Sequence, residues 1–313
     1  MMTAQRIRLS VAQAHIMNCL RDRTASQWVS SARDRVRRTL FEPSRRRAYE
    51  RRARQHRPCL PTISADIRAI VDAVGREGAH IGSLASLNIP RTDEMLQLAN
   101  TLLPKLTRDR ATKPSSITVH TDQTDFDEFP QLYLWGLNDK LLDLVENYLG
   151  VPVGYHGFKI KRSIANGVEG ATRLWHADPQ DHQMLRIIIY LNDVDDDDGP
   201  FEYISRQQSA TARRSLKYSN EHISETIMRS VVPAGLWNAC VGPRETVIFA
   251  DTENILHRGK APKNRERVAI FYTYYSAKPM HERYLQPAFP RAFMDSIADG
   301  LNERQRACAF WRN

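Results

Sequence analysis

From residue 150 onward the chain abandons helical periodicity for short runs of β-branched and aromatic residues, each bounded by Gly, Pro, Asp or Asn. Candidate strands are Val153–Lys161, Leu185–Val194, Phe201–Ser205, Thr246–Ala250 and Val268–Tyr275. They follow one another without the regular helical crossovers that a parallel sheet requires, so their natural arrangement is antiparallel. This pattern limits the fold more than any other feature. The expected class is α+β, with a jelly-roll β core clad by helices.

The cladding is written mostly ahead of the strands. Ser64 can N-cap a helix whose stripe Ile67, Ile70, Val71 and Val74 stops at Gly75 and Gly78, before a short apolar strand. A second helix is predicted from Thr92 to about Leu103. A third runs from Pro130 to Leu149, where Leu141, Leu144, Val145 and Leu149 share a side and Gly150 closes the run. Residues 206–230 are polar and read as a helical or irregular insertion, and a last helix is expected near Arg291 to Phe310. A length of 313 residues allows a sizeable core. The expected organisation is an Arg-rich helical extension over 1–60, a β-core domain over 61–285 that carries the insertion, and a helical C-terminal segment over 286–313.

The net charge of +9 is a local property. Residues 1–60 hold 15 Arg, no Lys and four acids, whereas the remainder has 30 basic and 32 acidic residues and is nearly balanced. Leu9, Ala12, Ile16 and Leu20, then Trp28, Ala32, Val36 and Leu40, trace helical stripes among those arginines. SRRRAYERRARQHRP, residues 44–58, is a second Arg-rich stretch beyond Pro43. Such a surface can meet nucleic acid, a phosphorylated substrate or an anionic membrane. No base-stacking aromatics are interleaved, so the preferred reading is helices docked by their apolar stripes with guanidinium groups in solvent, and a nucleic-acid partner is not expected. Cys19, Cys59, Cys240 and Cys308 show no paired spacing, which predicts neither a disulfide framework nor a structural zinc site. No apolar run approaches a bilayer span and the first residues lack a secretory apolar core. The expectation is a soluble cytoplasmic protein acting on a small molecule.

Chemistry concentrates in RLWHADPQDHQMLRIIIYLNDVDDDDGP, residues 173–200. In an extended chain His176 and Asp178 leave the same face and can share one ion. Two donors leave a metal site incomplete. The strongest third is His257, which follows the strand of Val247, Ile248 and Phe249. Two imidazoles and a carboxylate on one face of an octahedron is how non-haem Fe(II) oxygenases hold iron, with positions left open for co-substrate and O2. Ten residues beyond His257, Arg267 opens the next strand, and its planar fork suits a carboxylate.

The blocks WHAD, IIIYLNDVDDDDGPFEYI, ETVIFADTENILHRG and RERVAIFYTYY, in this order and spacing, resemble those of the phytanoyl-CoA dioxygenase-like family of Fe(II)/2-oxoglutarate-dependent oxygenases, over about residues 61–280. The resemblance implies a double-stranded β-helix with His176, Asp178 and His257 as iron ligands and Arg267 pairing with the far carboxylate of 2-oxoglutarate. It also implies a reaction that consumes O2 and 2-oxoglutarate, releases succinate and CO2, and hydroxylates an unactivated C–H bond of a small organic substrate. Halogenases of related architecture carry Gly or Ala in place of the ligand carboxylate, so Asp178 favours hydroxylation, or a related desaturation or ring closure. Arg265 shares a strand face with Arg267 and ranks second for the same duty. Many members follow the Gly-Pro-Phe strand with a Pro-Gly-Ser-His-like turn. Here residues 204–209 read Ile-Ser-Arg-Gln-Gln-Ser, and no role is carried over from that turn.

Other polar residues have plainer readings. His182, His156 and His281 lack such a frame and read as ordinary polar residues, with His156 a candidate for the pocket wall. Lys159, Lys161 and Arg186 lie on strands expected to flank the pocket; Lys159 and Lys161 share one face, from which one could meet the co-substrate, but a solvated strand edge is the preferred reading. Asp193 and Asp195–Asp198 lack the sixth-position Gly and the terminal Glu of an EF-hand, so a solvated turn into Gly199 and Pro200 is expected. Two other classes stay open: a catalytically silent binding protein on the same fold, and an oxygenase that acts on nucleic acid or protein through the Arg-rich extension.

Overall fold

The computed structural model describes residues 42–107, 116–281 and 289–312; the stripes over 9–40 and Cys19 lie outside the described residues. Helix α1 occupies 42–56. It is followed by α2 (Ala65–Glu77), α3 (Thr92–Leu102), α4 (Gln123–Glu128), α5 (Pro130–Trp135) and α6 (Asp139–Leu149). Two helices, α7 (Arg206–Ser215) and α8 (Glu225–Val231), fill the insertion, and α9 (Arg291–Ala298) and α10 (Glu303–Ala309) end the described chain. The strands are β1 (Ala79–Ser83), β2 (Thr118–His120), β3 (Val153–Ser163), β4 (Leu185–Tyr190), β5 (Phe201–Tyr203), β6 (Asn238–Cys240), β7 (Thr246–Ala250), β8 (His257–Gly259) and β9 (Arg267–Ser276).

These strands form two sheets, one of order β1-β7-β4-β9-β3-β2 and one of order β6-β5-β8. Every strand pair is antiparallel. The central strands β4, β7 and β9 are buried on both faces, and their period of two divides them cleanly. Leu185, Ile187 and Ile189 of β4, Val247 and Phe249 of β7, and Ile270, Tyr272 and Tyr274 of β9 pack into one apolar cluster with α2, α3, α5, α6 and the C-terminal helices. Alternate residues, among them Ile188, Tyr190, Ile248, Ala250 and Ala269, point the other way and meet Phe201, Tyr203 and Cys240 of the small sheet. A bulge between Tyr155 and Gly157 keeps this division intact along β3, since it lets both Tyr155 and Phe158 face the helices. Gly157 sits there with φ +107°, and a Cβ would lie 2.0 Å from the Phe289 ring.

Several expected boundaries hold for physical reasons. Ser64 caps α2 through Ile67 N–H at 3.4 Å, and the helix ends on left-handed Gly78, with Gly75 inside it. β7 matches its expected span. The predicted helix from Pro130 to Leu149 is instead two helices. Asn138 accepts from Lys140 N–H at 3.0 Å and starts a new one, while a Cβ at Gly136 would lie 2.2 Å from Tyr155 Oη. The strand predicted over Leu185–Val194 stops at Tyr190, because the Asn192 side chain takes over the ladder, accepting from Val268 N–H at 2.7 Å. β3 is no solvated edge: it lies between β9 and β2, with Lys159 and Lys161 on its inward face. The acid block does form a turn, but Asp198 is buried and receives the Arg265 guanidinium at 2.6 Å, which also reaches Asp195 at 2.7 Å. Among the described residues no helix is long and apolar enough to cross a membrane.

Candidate metal site and its surroundings

Residues 174–178 run extended beside β8, and the backbone places the chemistry. His176 and His257 are directly opposed, exchanging N–H···O bonds of 3.0 and 2.8 Å. Their rings therefore stand side by side, with centroids 4.3 Å apart. Asp178 is two residues further along, on the same face, its N–H bonded to Thr252 O at 2.9 Å. The result is one cluster in which each of His176, Asp178 and His257 offers a ligand atom and all three atoms lie within 4.8 Å of one another. The structure thus brings together the three residues that the sequence singled out.

The two rings are oriented by their own chain. His176 Nδ1 faces Leu174 O at 2.8 Å and His257 Nδ1 faces Ile255 O at 3.3 Å. A carbonyl only accepts, so Nδ1 carries the proton in each ring and Nε2 presents a lone pair to the cluster. Both imidazoles are held below their ordinary pKa. Burial is the main cause for each, and for His257, pushed down to about 3, the neighbouring His176 adds to it. For Asp178 burial pushes the carboxyl upward, but Arg186 above all, then His257 and His176, outweigh it and hold the group below the usual carboxylate range. Neutral imidazole and ionised carboxylate are the forms that bind a cation.

Arg186 is a member of this site that sequence reasoning left unassigned. Its Nη2 approaches Asp178 Oδ2 to 2.9 Å, yet without hydrogen-bond alignment, so Oδ2 is buried with a charge beside it and no donor aimed at it. Strict alternation along β4 places Arg186 with Ile188 and Tyr190 on the inward face, and that signal was available in the sequence. His222, from the insertion, stands 5.2 Å from the His176 ring. No sequence feature pointed to it.

Arg267 starts β9 on the same inward face as Ala269 and crosses to the small sheet. Its Nη1 donates to Gly199 O at 2.5 Å, and a Cβ at Gly259 of β8 would lie 2.7 Å from Nη2. It is buried, with no carboxylate bonded to it among the described residues, and burial pulls its pKa down while the Tyr190 hydroxyl opposes that shift. Arg265 is not brought to this interior, since Asp195 and Asp198 hold it. His182 packs edge-on to Tyr49, away from the cluster, and His156 does line the wall of a cleft.

The insertion is anchored beneath the site. The Arg258 guanidinium of β8 lies 4.9 Å from the Trp175 ring and 5.3 Å from Trp237, and it pairs with Glu202 at 2.7 Å and Glu225 of α8 at 2.9 Å. Tyr218, between α7 and α8, accepts from Ala177 N–H at 2.9 Å, the residue between His176 and Asp178. Ile223, Met228 and Val232 complete a separate apolar cluster around Trp175.

No family model matches the chain, and no curated protein matches it. Solved structures with a similar path include the non-heme alpha ketoglutarate dependent epimerase SnoN from nogalamycin biosynthesis, 13% identical, with TM-score 0.48 over 74% of this chain and 89% of that one. EctD from S. alaskensis with 2-oxoglutarate and 5-hydroxyectoine is 21% identical, with TM-score 0.47 over 72% of this chain and 83% of its own. HygX from Streptomyces hygroscopicus with nickel, 2-oxoglutarate and hygromycin B bound is 13% identical, with TM-score 0.47 over 67% and 87%.

Proposed function

We propose that this protein is an Fe(II)- and 2-oxoglutarate-dependent dioxygenase of the phytanoyl-CoA dioxygenase-like type, built on a double-stranded β-helix over residues 61–285 and hydroxylating a C–H bond of a small organic substrate. The observation that carries the reading is the His176–Asp178–His257 cluster, with both Nδ1 atoms occupied by backbone carbonyls and both Nε2 atoms free for a cation. Two neutral imidazoles and one carboxylate suit Fe(II), and the buried Oδ2 of Asp178, lacking an aligned donor, is the kind of atom a metal satisfies. The succession of strands, exchanged between a large and a small antiparallel sheet, supports the β-helix reading.

Each residue then has a task that its surroundings explain. His176, Asp178 and His257 would hold the iron, and Arg267 would fix the far carboxylate of 2-oxoglutarate, its bidentate fork being buried and without a carboxylate partner among the described residues. Bound iron supplies the redox chemistry by which O2 and 2-oxoglutarate become succinate, CO2 and one oxygen inserted into the substrate. Ile188 and Tyr190 wall the interior and exclude water, which protects a reactive site from side reaction. The test is succinate formation from 2-oxoglutarate with iron and a panel of metabolites. Wild type should form it, and His176→Ala and Asp178→Ala should each reduce it to background. Iron-dependent succinate formation surviving in both variants would sink the proposal.

A further inference from the structure

Beside the metal cluster lies a cleft of about 630 Å³ whose charge is one-sided. Three neighbouring strands build it. Lys159 and Lys161 of β3 face inward, and across β9 Arg186 of β4 faces the same way: Lys159 is opposite Phe271, which is opposite Ile188, two residues along β4 from Arg186. All three cations line the cleft. Asp122 is the one acid among its described lining residues, and it is exposed. No carboxylate pairs with Lys159 or Lys161 among the described residues, and the Lys161 ammonium rests 5.0 Å from the Phe271 ring. The nearby Asp178 is already matched by Arg186.

Such a cluster is costly when empty, because like charges repel and each is partly withdrawn from water. Lys161 shows the cost: burial first, then Arg186 and Lys159, push its pKa down to about 7, with only Asp178 pulling the other way. The opposite walls are apolar. Phe289 seats over Gly157, and His156 and Phe289 also line a second hollow of about 370 Å³ that includes Met294, Phe310 and Trp311 together with Arg291 and Arg312. Arg186 belongs to both places, since it lines the cleft and touches Asp178.

We infer that this cleft receives the primary substrate by an anionic group, a carboxylate or phosphate, gripped by Lys159, Lys161 and Arg186, with an apolar body lying against Phe271 and Phe289. That the ligand is the substrate rests on the oxygenase reading; that it is an anion with an apolar body does not. The test therefore uses metal-free, chelator-treated full-length protein and calorimetric titration with octanoate, 1-octanol and octylamine. Octanoate should bind at least about tenfold more tightly than octanol, and octylamine should give no saturable heat. In Lys159→Met/Lys161→Met, which keeps the aliphatic stems, octanoate should weaken by about tenfold or more while octanol is unchanged. Equal binding of octanoate and octanol by wild type, or an unaltered preference in the double variant, overturns the inference. So does a double variant that keeps octanoate but loses the visible absorption band of iron with 2-oxoglutarate, since the lysines would then serve the co-substrate. If octanoate is preferred as expected but no iron-dependent succinate ever forms, the oxygenase reading fails and the anion-binding cleft stands.

Discussion

At the scale of single residues, the site depends on groups kept in an unfavourable charge state by their surroundings. His257 is the clearest case: its imidazole titrates near the ordinary 6.5 in the unfolded chain and at about 3 in the folded one, mainly through burial. Between those values the unfolded state binds the extra proton, so stability falls as pH drops below about 6.5 and levels off, without recovering, below about 3, where both states are charged. His257→Asn should flatten that acid limb, by up to about 1.4 kcal/mol per pH unit, in urea midpoints measured on metal-free protein from pH 7 to pH 4. A limb of unchanged slope would show that His257 is not held neutral. The cluster itself was legible in part because a period of two puts His176 and Asp178 on one face, while β8, far downstream, returns His257 beside them. Arg186, Lys159 and Lys161 were harder. Which face of a strand looks inward can be read from alternation, but whether β3 is an edge or an interior strand depends on pairing with β2, forty residues upstream.

At the scale of elements, local propensity and tertiary packing disagree most openly at the break between α5 and α6. The Leu141, Leu144, Val145 and Leu149 stripe continues back toward Pro130 without a sequence signal strong enough to mark two helices. The break is a packing event, in which Tyr155 of β3 occupies the space beside Gly136 and donates to Tyr133 O at 3.1 Å. The φ of Gly136, −66°, suits any residue, so alanine is excluded there by contact alone. Gly136→Ala should therefore destabilise the protein by about 1–3 kcal/mol in chemical denaturation, although alanine is the better helix former. A neutral or stabilising result would mean that Tyr155 moves aside freely. The same logic explains why β4 ends early: Asn192 offers its amide to β9 in place of backbone, a substitution that strand propensity does not register.

At the scale of the whole molecule, the two ends of the described chain meet on one helix. Tyr49 of α1 enters the main core and donates to Leu149 O at 2.8 Å, so the described part of the Arg-rich stretch is docked, as the preferred reading of the sequence expected. His56 of α1 and Arg304 of α10 then converge on the two oxygens of Glu146 in α6, each at 2.7 Å. Glu146→Gln weakens both contacts at once, at a cost of about 1–2 kcal/mol. In hydrogen exchange the amides of α1 and α10 should lose protection together while those of β4 do not. Loss in only one helix would show that the ends are held independently. None of this was visible in the sequence, because a carboxylate in the middle of an amphipathic helix looks the same whether it meets solvent or two distant partners.

The division of the large sheet into one parity that packs against helices and another that faces the interior carries a practical corollary. Positions such as 159, 161, 186, 271 and 273 lie on the inward parity of β3, β4 and β9, while their sequence neighbours Phe158, Ile160, Ile187 and Tyr272 hold the opposite core. A combinatorial library confined to these inward positions would vary what the interior accepts and leave the packing against the helices in place. Retargeting such a protein to a new molecule is then a search over one side of a sheet.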